Sequence, residues 1–150
     1  MDFCDDIVSN KIAIIKRCLQ RVYEEYDAHE TALETDFARQ DAIVLNLQRA
    51  IKACIDLGMR IVKQKRLGVP QRSHDVFVLL EQAKVISYEL SKHFQLLLAF
   101  IYVAVRDYTN FQPDCLRAII ANHLHDFEEF TRCATFCCCC PSGNMWVVIV

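Results

Sequence analysis

Glycine and proline are scarce, with three of each in 150 residues. So few breakers leave long uninterrupted segments, which excludes a turn-rich β architecture and favours helices. An excess of positive charge is also missing: 17 Lys and Arg stand against 19 Asp and Glu, for a formal net charge of −2. Nothing global draws such a chain to nucleic acid, so RNA contact would have to come from a local basic patch. Separated CxxC pairs are absent although there are nine cysteines, four of them adjacent at Cys137 to Cys140. That spacing does not suit a structural zinc site, and the thiols read as reduced. The most apolar run, HFQLLLAFIYVAV, has 13 residues, short of the ~20 that span a bilayer as a helix. The beginning, MDFCDDIVSNK, lacks a basic region followed by an apolar core. The expectation is a cytoplasmic protein with no membrane association.

What is present is apolar periodicity, in a chain that is 53% hydrophobic and of a length for one domain. Ile7, Ile14, Ile15, Cys18, Leu19, Val22 and Tyr26 recur at three- and four-residue steps and predict a first amphipathic helix from Asp5 to Tyr26. A second, from Phe37 to about Lys65, carries Ile43, Val44, Leu47, Ile51, Cys54 and Ile55, with Gly68 and Pro70 as its stop. Ser73 is placed to cap a short third helix. Ser87 or Ser91 opens a fourth, ending before Pro113. A fifth runs from about Asp114 to Phe136, burying Leu116, Leu124, Phe127 and Phe130 and leaving Arg117, Asn122, Asp126 and Glu129 outside. The predicted fold is all-α, an up-and-down bundle of about five helices over residues 1–136. Residues 137–150, CCCCPSGNMWVVIV, form a cysteine-rich and apolar tail.

Four segments carry a resemblance: NKIAIIKRCLQRV, DFARQDAIVLNLQRAIKACIDLG, LGVPQRSHDVFVLL and HLHDFEEF. Over roughly Asn10 to Ala134 the chain resembles the HEPN superfamily. Within it the chain is most similar to the HepT branch, helical ribonuclease toxins paired with MntA-type nucleotidyltransferase antitoxins. The resemblance implies an Arg-x4-His-x-Tyr signature at the end of the fourth helix. In FIYVAVRDYTNF the matching register puts Ile101 at the arginine, Arg106 at the histidine and Tyr108 at the tyrosine. Taking Arg106 as the motif arginine instead would place Phe111 where histidine belongs. Two of the three catalytic positions are therefore replaced. The resemblance further implies a homodimer whose fourth helices meet and gather two Arg106 and two Tyr108, and an antitoxin that adenylylates Tyr108. No cofactor is implied.

The chemical consequence follows from the residues themselves. Metal-independent RNA cleavage needs a group that moves protons between the 2′-hydroxyl and the leaving 5′-oxygen, and histidine titrates near neutrality. Arginine stays protonated, so Arg106 can hold phosphate but cannot serve as a base. Ile101 can do neither. Without the resemblance, Arg106 to Tyr108 reads as a helix C-terminus, where a cation is favoured by the macrodipole.

Other features are weaker. Arg49, Lys52, Arg60, Lys63, Lys65 and Arg66 make the second helix basic, which suits either guidance of an RNA backbone or ordinary solubilising surface. In NHLHDFEEF, His123 and His125 diverge by about 200° around a continuous helix, and paired Glu-x-x-His motifs are absent, so no metal site is expected. His74 and His93 read as surface or capping residues. Two functional readings stand: a toxin of ribonuclease lineage with weakened or absent cleavage, and a non-catalytic dimeric module that binds a nucleotidyltransferase-fold antitoxin and, in either case, possible RNA.

Overall fold

The computed structural model describes residues 4–28, 33–107, 109 and 111–139. Six helices follow one another among the described residues: α1 (Cys4–Ala28), α2 (Phe37–Lys65), α3 (Ser73–Gln82), α4 (Tyr88–Arg106), α5 (Pro113–Asn122) and α6 (His125–Cys139). The all-α class and the first four helices agree with the periodicity. The predicted fifth helix is instead two. Pro113 opens α5 in its first turn, where a missing N–H costs nothing. The chain then leaves the helix at His123, whose N–H still donates to the Ile119 carbonyl at 2.8 Å. A new turn starts as the Asp126 and Phe127 N–H groups donate to the His123 and Leu124 carbonyls, each at 3.2 Å.

The extensive α1–α2 packing is antiparallel. Arg39 meets Glu25 at 3.0 Å near the connection and Lys11 meets Asp56 at 2.8 Å farther along. Ile15, Val22, Leu47, Cys54 and Leu57 fill the space between and beneath them, all buried. Removing such side chains from water supplies roughly 1.5–3 kcal/mol each. By contrast Ile7, expected inside, is half exposed. The C-terminus of α2 is made by Arg66 in the left-handed region at φ 55°, its N–H donating to Lys63 O at 3.3 Å. The chain thus turns two residues before Gly68.

Local capping places α3 and α4. Ser73 is the first helical residue of α3 rather than its cap. The N–H groups of Gln71 and Arg72, just ahead of the helix, donate to the Asp75 carboxylate at 3.0 and 3.2 Å, so the side chain that ties down this end is Asp75, reaching back, and not Ser73 reaching forward. At α4 the choice falls on Ser87, whose Oγ accepts from Leu90 N–H at 3.1 Å. Ser91 lies buried and its hydroxyl donates to the Phe77 carbonyl at 3.2 Å, tying α4 to α3. An aromatic cluster then joins α3, α4 and α6. Phe94 stacks on Phe77 at 4.9 Å between centroids and meets Phe127 and Phe130 edge-on at 5.3 and 5.2 Å.

α6 continues to Cys139, and Cys137 and Cys138 are buried. The rest of the tail, residues 140–150, lies outside the described residues. No helix among the described residues is long and apolar enough to cross a membrane.

Candidate functional site

The last two turns of α4 carry two of the three expected motif positions, Ile101 and Arg106. Five residues of α-helix rotate the side chain by about 140°, so Ile101 and Arg106 leave on different faces. Ile101 is only 5% exposed and belongs to the core, while Arg106 is exposed. Within one chain the structure does not bring them together. The Arg106 guanidinium lies over the Tyr102 ring, 5.1 Å from its centroid. Such an exposed cation–π contact is worth about 0.5–1 kcal/mol. It also holds the guanidinium plane beside the helix end. Tyr102 was not singled out in the sequence, although a cation four residues after an aromatic shares its face of a helix.

Beyond the helix, the Asp107 N–H donates to the Val103 carbonyl at 2.8 Å and the Thr109 hydroxyl donates to the Asp107 carboxylate at 2.6 Å. Phe111 folds back so that its ring lies 5.9 Å from that of Phe100. Tyr108 lies outside the described residues. A groove of about 700 Å³ lies between α2 and the α4 end, lined by Gln40, Asp41, Gln48, Ala104, Val105 and Phe111 among others. At the groove's edge Glu34 accepts two hydrogen bonds from Arg117, both at 2.7 Å. These hold the Glu34 carboxyl below its ordinary pKa.

The two α2 candidates sit differently. Arg49 is rotated about 100° from groove-lining Gln48. Its charge acts on Cys18 of α1, where burial raises the thiol's pKa and Arg17 and Arg49 oppose the rise. Lys52 is engaged by Asp56 at 2.8 Å, and Asp56 is shared with Lys11 at the same distance. Burial pushes the Asp56 carboxyl up, but hydrogen bonds from both lysines outweigh it and hold the group below its ordinary value. A depressed carboxylate contributes stability above its unfolded pKa of ~3.9 and loses it as pH falls through the folded value. Asp56→Asn should therefore lower stability by about 0.2–1 kcal/mol at pH 7. In urea midpoints measured against pH, the gap from the parent should close below pH ~4; a constant gap would mean that the charge of Asp56 is not what matters.

Two expectations about histidine and aspartate need correction. Asp126 is buried, 4% exposed, and not on an outer face. His93 is not a simple surface residue, since its Nδ1 lies 2.9 Å from the Asp126 Oδ2. The break between α5 and α6 resets the helical phase, and that turns Asp126 inward toward α4.

With this geometry in place, the comparisons with known proteins are specific. The family described as Ribonuclease HepT-like matches residues 10–134. This chain belongs to the HepT-like ribonuclease family. It is 40% identical over 126 residues to the mRNA nuclease HepT of Shewanella oneidensis, covering 84% of this chain and 94% of that protein. Among solved structures, a toxin–antitoxin complex with AMP-PNP contains a chain 38% identical, with TM-score 0.83, covering 87% of this chain and 98% of the other. The tri-AMPylated HEPN toxin of Shewanella oneidensis in complex with its MNT antitoxin gives 40% identity and TM-score 0.82, over 86% and 96%.

The HepT-like match spans α4, and the side chains at the two α4 positions where the motif is expected are Ile101 and Arg106. Chemically, the α4 end of this HepT homologue presents a permanent cation and an aromatic ring. It offers no imidazole among the described residues of the α4 C-terminus to move a proton.

Proposed function

We propose that this chain is the toxin-side member of a toxin–antitoxin pair in which RNA cleavage has been lost or strongly weakened. It persists as a dimeric module for a nucleotidyltransferase-fold antitoxin. The observation that carries this reading is the pair of residues at the expected motif positions: Ile101 and Arg106 stand where the family signature has arginine and histidine, in a chain 40% identical to a HepT nuclease.

Several features support the assembly. Related toxins occur in complexes with MNT-type antitoxins. On the outer side of α4, Leu96, Tyr102 and Val103 are exposed by 66, 61 and 40%, an apolar surface that suits a partner. A second copy meeting this surface would bring two Arg106 and two Tyr102 close to one cleft, and the pair would hold RNA without cutting it. Tyr108 keeps the motif position and is the proposed acceptor of adenylyl groups, in keeping with the AMPylated Shewanella toxin. Arg49 and Lys52 are secondary RNA contacts in this reading, with Lys52 released from Asp56 on binding.

The test is expression of the full chain alone and together with an MntA-type partner. Alone, it should leave growth and total RNA unchanged and run as a dimer in sedimentation. With the partner and ATP it should co-purify and carry AMP on Tyr108, read by peptide mass spectrometry. Growth arrest with RNA loss from the chain alone would overturn the loss of cleavage; failure to co-purify would overturn the module.

A further inference from the structure

Away from the α4 terminus, the fold assembles a second group of chemically active side chains. The His93 Nδ1 from α4 and the His123 Nδ1 from the α5–α6 corner lie 2.9 and 3.1 Å from the same atom, the Asp126 Oδ2. All three ligand atoms lie within 4.8 Å of one another. The two rings are edge-to-face with centroids 4.6 Å apart. The histidine side chains are about one-third exposed and the Asp126 side chain only 6%. We propose that His93, His123 and Asp126 form a binding site for one divalent transition-metal ion of the zinc class, with the remaining position open to water.

The donor set is chemically suited: two imidazole nitrogens and a carboxylate oxygen are the protein ligands of tetrahedral Zn²⁺ sites that keep a fourth position for water. With metal–ligand bonds of about 2.0–2.2 Å, tetrahedral ligand atoms stand roughly 3.4 Å apart. The two nitrogen–oxygen separations fall only a few tenths of an ångström short of this. As ligands, both rings would present an unprotonated Nδ1 to the ion and carry their proton on Nε2, and the partial exposure of both rings lets Nε2–H meet water.

The supports are rigid. His93 precedes Phe94, and Asp126 precedes Phe127, two rings that pack on each other at 5.3 Å. His123 and Asp126 are joined by the turn bond from Asp126 N–H to the His123 carbonyl. The second carboxylate oxygen, Oδ1, lies 3.4 Å from the His125 Nε2. That ring is placed to steady the carboxylate from outside the ligand set, the role that outer partners play at metal sites. The sequence hid the site because a continuous fifth helix made His123 and His125 the apparent pair. The actual second histidine comes from α4, 30 residues away, as His93 to His123.

The experiment is titration of the chelator-treated full chain with Zn²⁺ and with Co²⁺. Expected are one equivalent of Zn²⁺ per chain and a rise in melting temperature, because an ion that binds only the folded state stabilises it by mass action. Histidine ring signals should shift in the NMR spectrum of the native chain. Co²⁺ should give visible d–d absorption without the thiolate charge-transfer band that the cysteines would produce. His93→Gln and His123→Gln, each checked for native circular dichroism, should weaken binding at least about tenfold. No binding by the native chain, a thiolate band as the main Co²⁺ signal, or unshifted histidine signals would each overturn the site. The NMR arm decides the matter if the variants do not fold.

Discussion

A chain carrying Ile101→Arg together with Arg106→His should cleave RNA without metal, while the native chain leaves the same RNA intact. Arg106→His exchanges a permanent cation for a group whose ordinary pKa of ~6.5 lets it accept and return a proton. General acid–base catalysis by one positioned side chain contributes roughly 10²–10⁴ in rate, so activity should rise by at least that range over the native background. The exchange is cheap for the fold: position 106 is exposed, and only the stacking of Arg106 on Tyr102 is lost. Ile101→Arg is expensive, since position 101 is 5% exposed. An arginine there must bend its aliphatic stem along apolar neighbours and carry its guanidinium toward the helix surface, and an unpaired buried charge would cost several kcal/mol. The restored chain should therefore melt lower than the parent, and circular dichroism must accompany the assay. If the folded double variant neither cuts total tRNA or mRNA nor slows growth, the idea of an erased site is wrong. If both proteins cut, the catalytic groups lie elsewhere in the chain.

The contrast between positions 101 and 106 shows what a sequence can and cannot deliver here. Helix spacing made α1 to α4 legible, because their apolar stripes recur without interruption and Ser87 and Pro113 are strong local signals. Family resemblance pointed to Ile101, Arg106 and Tyr108, but that Ile101 faces the core and Arg106 rests on Tyr102 follows from the packing of α4 and not from the spacing. The break at His123 and Leu124 was illegible, since neither residue is a breaker and the apolar stripe continues on both sides of it. That one missed turn misplaced Asp126 on the outside and so concealed its pairing with His93. A long-range contact between α4 and α6 leaves no trace in local periodicity.

Phe94→Ala should be the most destabilising single change on α4, lowering stability by about 3–5 kcal/mol. The ring is 1% exposed and touches three other rings, Phe77, Phe127 and Phe130, so truncation opens a cavity on every side. Aromatic pairs add roughly 0.5–1.5 kcal/mol beyond area burial, and none of the surrounding phenylalanines can swing into the gap without leaving its own partner. Against a total of ~5–15 kcal/mol for a domain, this is a large fraction. The urea midpoint should fall accordingly, and the melting temperature by roughly 6–20 °C. A loss under about 1 kcal/mol would mean that the α3–α4–α6 cluster is not packed as described. Phe94→Leu, which leaves less empty volume, should cost markedly less than Phe94→Ala. The consequence reaches function because Phe94 fixes the rotation of α4 about its axis. That rotation decides whether position 101 faces the core and position 106 faces out. In the restored background, Phe94→Ala should thus reduce RNA cleavage even where the protein remains folded, although the ring lies too deep to touch RNA.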